Sequence, residues 1–159
     1  MTNSPLVFGW LEWAALPLLG VPAIRAKVDS GARTSCLHAD DIEEFEKDGA
    51  PWVRFVTRPV TRRPRIGVAC EAPLHDKRSV ISSNGHAEMR CVIKTPLRIG
   101  RTDWDAEFTL TNRDTMRFRM LLGRAAMAGH ALVDPGESFL QKRLSYSLYK
   151  KTGAAGGGA

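Results

Sequence analysis

The chain is poor in cysteine and has no long apolar run. Its 159 residues include three cysteines, Cys36, Cys70 and Cys91, odd in number and widely spaced. None forms a CxxC pair, which argues against a disulfide framework and against a structural zinc knuckle. No segment nears the roughly 18 consecutive apolar residues of a membrane span. The first thirteen residues carry Glu12 and no basic n-region, so no secretory leader and a cytoplasmic location are expected. HExxH does not occur, and His38, His75, His86 and His130 are scattered, whereas catalytic zinc needs three clustered ligands and an open position. His38-Ala39-Asp40 and His75-Asp76 are the histidine–carboxylate neighbours worth noting. A phosphate-cradling loop is missing as well, because Gly156 to Gly158 lies in a terminal Gly/Ala stretch without lysine. These gaps predict no metal and no cofactor. The low hydrophobicity of disordered chains is also missing. With 43% hydrophobic and 25% charged residues, the chain has enough length and apolar content for one core. Residues 1–150 are expected to form one domain and 151–159 a flexible tail.

What the chain has in excess is arginine. Lysine and arginine total 23 against 17 acids, a net charge of +6, and 16 of the 23 are arginine. Arginine grips planar carboxylates and phosphates through a two-pronged fork, so an acidic partner or a merely solubilising surface both follow.

Short extended segments punctuated by Pro and Gly dominate. Phe8 to Ala15 and Pro22 to Val28 read as a hairpin, the second run alternating Ile24, Ala26 and Val28 against Arg25 and Lys27. Asp40 to Lys47 is acidic and suits a short helix or an exposed turn. Trp52 to Thr57 alternates as a strand, and Arg58 to Arg65, with two prolines and four arginines, is a loop. Asn84-Gly85 between two strands is the strongest hairpin signal. Val92–Ile99 and Trp104–Thr111 predict another hairpin, and Ala125 to Gly129 a turn or two of helix. About nine strands with little helix predict an all-β domain, a small closed barrel.

Two short motifs carry chemistry. Asp29-Ser30-Gly31-Ala32 follows the strand ending at Val28, and Leu121-Leu122-Gly123-Arg124 precedes the short helix. A carboxylate at a strand tip, held by a turn with Gly31, is presented by a rigid sheet to whatever approaches closely.

In this order, with Asn84-Gly85 as a flap tip between them, the motifs resemble those of the retropepsin-like aspartic proteases. Longer stretches, KVDSGARTSCLHADDIEEF, SSNGH, LTNRDTMRFRMLLGR and LVDPG, look like a bacterial, RimB-like family labelled ATP-dependent zinc proteases. That family is related to the peptidase encoded beside, or fused to, a RimK-type glutamate ligase. The resemblance covers roughly Gly9 to Leu140. It implies a closed barrel with a flap hairpin and one short helix, an aspartic peptidase activity, and Asp29 as the catalytic residue supported by Ser30, Gly31, Ala32 and Gly123.

Peptide hydrolysis in this class uses two carboxylates that share a proton and flank a water. Only one D-[ST]-G occurs, and Asp114-Thr115-Met116 lacks the glycine, so the second Asp29 is expected from a second subunit. Ser30 stands where the family usually has Thr, keeping the hydroxyl that clasps across the dimer axis. Retroviral relatives continue with two acidic residues where this chain has Arg33 and Thr34. Arg33 would favour acidic substrates and would deny Arg124 its usual ion-pair partner, or it is a solvated surface residue. The flap, Arg78 to Ile93, carries Ser83, Asn84 and Gly85 at its tip and Arg78 and Arg90 on its arms, all candidate substrate contacts. The resemblance thus implies trimming of glutamate tails added by the ligase to a ribosomal protein. Two other readings stand beside it. One is a non-catalytic adaptor of the ligase. The other is an RNA- or ribosome-binding module using Arg58 to Arg65 with Trp10, Trp13, Trp52 and Trp104, although those tryptophans sit in strand patterns that suit core packing. Neither a membrane nor direct nucleic-acid contact is needed for the peptidase.

Overall fold

Along Val21–Asp29 the inward side chains are Ile24, Ala26 and Val28, all buried, while Arg25, Lys27 and Asp29 turn outward. That period-2 pattern is what half-burial on a closed sheet demands. The computed structural model describes residues 4–81, 84–112 and 117–151. Its strands run β1 (Leu6–Phe8), β2 (Leu11–Leu16), β3 (Val21–Asp29), β4 (Ser35–His38), β5 (Asp40–Lys47), β6 (Ala50–Thr57), β7 (Val68–Pro73), β8 (Asp76–Ile81), β9 (Ala87–Ile99), β10 (Thr102–Thr111), β11 (Met120–Gly123) and β12 (Ala131–Val133). A 3-10 turn at Pro17–Leu19 joins β2 to β3, and α1 (Arg124–Met127) and α2 (Leu148–Lys151) are single turns. No helix among the described residues is long and apolar enough to cross a membrane.

Six strands, in the order β10-β4-β11-β3-β2-β9, close on themselves through the β9–β10 hairpin. The barrel is filled by Phe8, Leu16, Ile24, Leu37, Ile93, Leu97, Phe108, Leu110, Met120 and Leu122. β11 is threaded between β3, to which it is parallel, and β4, to which it is antiparallel. β8 extends the sheet beyond the barrel by pairing with the first half of β9, forming the expected flap hairpin. β5, β6 and β7 make a separate antiparallel sheet.

Several expectations need correction. Asp40 to Lys47 is neither helix nor turn but the edge strand β5, whose acids face solvent and meet cations of neighbouring strands: Glu43 pairs with Arg54 and Glu44 with Lys77. The described residues hold twelve strands rather than about nine, because short buried strands such as Ser35–His38 show no alternation. The flap arm and the expected strand from Val92 form one 13-residue strand. The tryptophans line the margins of the core and do not fill it, Trp104 packing against the barrel core and Trp13 against a smaller apolar cluster. Trp10 is 39% exposed, while Trp13, Trp52 and Trp104 are half-buried. Asp114 to Met116 and the Gly/Ala stretch from Gly153 lie outside the described residues.

Two buried polar groups shape the fold. Burial pushes the Cys70 thiol up to about 12, beyond the range in which it would ionise near neutral pH. Glu12 is 0% exposed, and its carboxylate accepts the backbone N–H groups of Gly9 (2.7 Å), Leu140 (2.9 Å) and Gln141 (3.0 Å). It ties the segment after β12 back onto β2.

Candidate active site

Asp29 is the last residue of β3 and half-buried at the mouth of the barrel. The chain turns sharply after it. Ala32 N–H donates to the Asp29 carbonyl at 3.2 Å, and Gly31 N–H donates to Asp29 Oδ1 at 2.9 Å. One carboxylate oxygen is thereby oriented by the turn that follows it. A Cβ at Gly31 would lie 3.1 Å from that oxygen, tight enough to disturb it.

Gly123 sits directly beside Asp29 in the parallel β3–β11 register. Its N–H donates to the buried Ser35 Oγ at 3.0 Å. A Cβ there would approach the Thr34 and Arg33 carbonyl carbons within 2.7 and 2.8 Å. Those atoms are backbone, so nothing can swing aside. Next in the chain, Arg124 N–H donates to the Ala32 carbonyl and Ala125 N–H to the Arg33 carbonyl, at 2.8 and 3.0 Å. Arg124 Nη1 reaches the carbonyls of Gly31 (3.2 Å) and Ser30 (3.4 Å). Arg124 therefore braces the Asp29 turn through carbonyls, not through a carboxylate at position 33, where this chain has arginine. Gly123→Ala is expected to unseat the Asp29 turn. It should cost about 1–3 kcal/mol of stability, in the range for overpacking a tight site, and at least tenfold in activity. Parallel denaturation and peptidase assays check this, and unchanged values in both would refute the close-packing argument.

A cleft of about 1100 Å³ opens between the residues that follow this turn, Arg33 to Ser35, and β8 of the flap, with Arg78, Ile81, Lys94 and Glu107 also in its lining; Asp29 itself is not on its wall. Arg33 is exposed and Thr34 half-buried. Arg78 bridges Asp76 (2.7 Å) and Glu107 (2.8 Å), and His75 adds a 3.2 Å contact to Glu107. The Arg78 guanidinium holds the Asp76 carboxyl below its usual range. Burial pushes Glu107 up, but Arg78 and His75 outweigh it and leave the carboxyl lowered. Arg90 is mostly buried, pairs with Glu88 at 2.6 Å and reaches Thr109 Oγ1 at 3.4 Å. Arg90, helped by Thr111, lowers Glu88. Both flap arginines, Arg78 and Arg90, thus already meet carboxylates of their own sheet. At the flap tip Gly85 has a φ of +84°, the left-handed conformation glycine tolerates, and Asn84 Oδ1 accepts the His86 N–H at 3.4 Å. Ser83 lies outside the described residues.

Sequence reasoning missed Lys94, Glu107 and Ser35. Lys94 and Glu107 face each other in the β9–β10 register, so counting outward from the hairpin turn would have paired them. Ser35 gave no signal. The histidines do not gather. His38 contacts Asp40 at 3.1 Å and His130 stacks on Trp104 with centroids 4.7 Å apart. No group of three or more His, Cys, Asp or Glu side chains is placed to hold a metal ion among the described residues, so the donors do not fit a zinc site.

The comparisons with known proteins point one way. Residues 7–144 match the RimB-like family, described as the retropepsin-like aspartic endopeptidase RimB. The chain is 50% identical over 139 residues to a protein of Shewanella pealeana named "Probable alpha-L-glutamate ligase", covering 87% of this chain and 30% of that one. A protein of Desulfotalea psychrophila with the same name is 49% identical over 129 residues, covering 81% of this chain and 28% of its own length. The chain therefore spans less than a third of the curated relatives it matches. The crystal structure of Lpg0085 from Legionella pneumophila, a protein of unknown function, superposes with a TM-score of 0.75 at 29% identity. The overlap covers 87% of this chain and all of that one.

Proposed function

Since the chain belongs to the RimB-like family of retropepsin-like aspartic endopeptidases, we propose that it works as a homodimer, each subunit supplying one Asp29, on acidic, glutamate-rich peptides. The observation that carries this reading is a single braced Asp29 turn per chain, held against Gly123 and Arg124 and followed at once by Arg33 and Thr34, which line a cleft shared with β8 of the flap. Across a two-fold axis, two such carboxylates share one proton and grip one water. The ionised one takes a proton from the water as it attacks the peptide carbonyl. The protonated one donates to the carbonyl oxygen, and the amine leaves after protonation. In this reading Ser30, exposed beside Asp29, clasps its counterpart across that axis. Closing the flap excludes water and sharpens every charge inside.

The preference for acidic peptides draws on Arg33 and Lys94, both exposed cations lining the cleft and neither in an ion pair among the described residues. Arg78 and Arg90 contribute less, because Asp76, Glu107 and Glu88 already neutralise them. Relatives of this domain lie within longer chains that bear a ligase name. The substrate in this reading is the product of such a ligase, a glutamate tail on a ribosomal protein, trimmed in the cytoplasm, with the ligase itself as a partner. The test is hydrolysis of a short poly-glutamate peptide and a neutral peptide of equal length, followed by mass spectrometry. Arg33→Glu is expected to lower kcat/KM on poly-glutamate about tenfold, and added salt to slow that substrate more than the neutral one. Equal cleavage of both peptides, indifferent to Arg33→Glu and to salt, would overturn the charge preference.

A further inference from the structure

The positive charge of this chain is not spread evenly. Residues 58–66 hold Arg58, Arg62, Arg63 and Arg65, and residues 138–151 hold Lys142, Arg143, Lys150 and Lys151, with no acid in either stretch. Without these eight cations, fifteen would remain against seventeen acids, so the whole positive excess sits in two short segments. The fold brings them together. Val60 of the first segment and Tyr149 of the second are buried against Ala23 of β3, with Trp13, Ile66, Leu144, Tyr146 and Leu148 packed around them. This small apolar cluster, separate from the barrel core, fastens both basic segments onto one face of β3.

Arg58 of the first segment holds Asp40 at 3.0 Å, but most of the other cations of this face have no carboxylate partner among the described residues. Arg54, Arg78, Arg90 and Arg98 elsewhere each hold a carboxylate. Arg25, Arg62, Arg63, Arg65, Lys142 and Arg143 hold none among the described residues. A solubilising surface mixes the two signs, whereas a face of one sign is arranged for an anionic partner.

The kind of anion follows from what lies between the arginines. The Arg25 guanidinium stands over the rings of Trp13 (6.0 Å) and Tyr146 (5.5 Å), and its Nε donates to the Tyr146 hydroxyl at 3.1 Å. Trp13, Arg25, Arg63, Ser145, Tyr146 and Ser147 line a recess of about 430 Å³. Guanidinium forks and hydroxyls around a nucleotide-sized hollow, with the Arg25 plane backed by Trp13 and Tyr146 as a surface for a base to stack on, suit a phosphodiester chain more than a carboxylate chain or a flat lipid surface. We propose that this face binds single-stranded RNA. Arg25 and Asp29 point the same way from β3 and are four residues, roughly 13 Å, apart along the strand. RNA held here would bring a ribonucleoprotein beside the cleft. The inference is independent of the proposed substrate.

The test is fluorescence anisotropy with a fluorescein-labelled twenty-nucleotide oligouridylate over 50 to 200 mM salt. One variant is the triple Arg62→Glu/Arg63→Glu/Arg65→Glu, three exposed side chains outside the catalytic machinery. The control triple Arg54→Glu/Lys77→Glu/Arg98→Glu makes the same change of net charge elsewhere. The first is expected to weaken binding at least thirtyfold and to flatten the salt slope by about two, since each phosphate contact contributes about 0.7 on a single strand. The control should lose no more than threefold. No binding at 50 mM salt, or equal losses in both triples, would overturn the proposal. So would displacement of the RNA by poly-glutamate at equal charge, which would mark an acidic-protein surface. Preference for phosphatidylserine vesicles over RNA would mark a membrane surface and overturn it equally.

Discussion

Asp29→Asn is expected to abolish peptide hydrolysis, by at least a thousandfold, without unfolding the protein. Asparagine keeps an oxygen where Gly31 N–H donates, so the turn survives. It cannot take the proton of the attacking water, so the chemistry does not. A mixing experiment then separates one-chain from two-chain catalysis. If each site draws one Asp29 from each subunit, inactive partners poison wild-type ones. An equal mixture that has exchanged subunits retains about a quarter of the wild-type rate. Retention of half would show that each chain holds a complete site and would sink the shared-site reading. Full activity of Asp29→Asn alone would sink the assignment of the catalytic carboxylate.

The second large effect concerns stability. Glu12→Ala is expected to cost about 3–5 kcal/mol, because it leaves the N–H groups of Gly9, Leu140 and Gln141 without their acceptor and opens a cavity. In a chain of this size that lowers Tm by roughly 10 °C or more. Glu12→Gln should be intermediate. The amide has one acceptor oxygen, and its NH2 group faces an N–H where a carboxylate oxygen stood. No lysine or arginine pairs with Glu12 among the described residues, so removing the carboxylate strands no buried cation to confuse the result. Chemical denaturation of the three proteins is the measurement. A loss below about 1 kcal/mol for Glu12→Ala would mean that water replaces the carboxylate freely and the clamp carries no strain of its own.

What could be read from the sequence depended on where each signal resides. The Asp29 turn was legible because its chemistry is local: a strand, a carboxylate and a glycine in four residues. The flap was legible because Asn84-Gly85 dictates a turn. Arg78 and Arg90 looked like free cations, since the carboxylates that meet them, Asp76 and Glu107 for one and Glu88 for the other, are selected by strand register and side-chain direction. Nothing in the sequence sets Glu12 apart as a clamp, because its partners are backbone groups, two of them about 130 positions away in the chain. The acids of β5 mimicked a solvated helix or turn. An edge strand tolerates charge on its outer faces, and charge there also discourages pairing with other chains. Arg124 was flagged as lacking its usual partner, but carbonyls of a turn leave no mark in sequence that would name them.

The threading of β11 between β3 and β4 has a consequence for the life history of the molecule. Gly123 and Arg124 brace a turn made more than ninety residues earlier, so the contacts that orient Asp29 are among the least local in the chain. Such contacts form late, because closing a long loop comes before any gain from the pairing. During synthesis the first two strands of the barrel can emerge and pair while the catalytic turn is still unbraced. A growing chain therefore carries Asp29 long before its turn is braced, and the bracing arrives only when the last barrel strand slots into place.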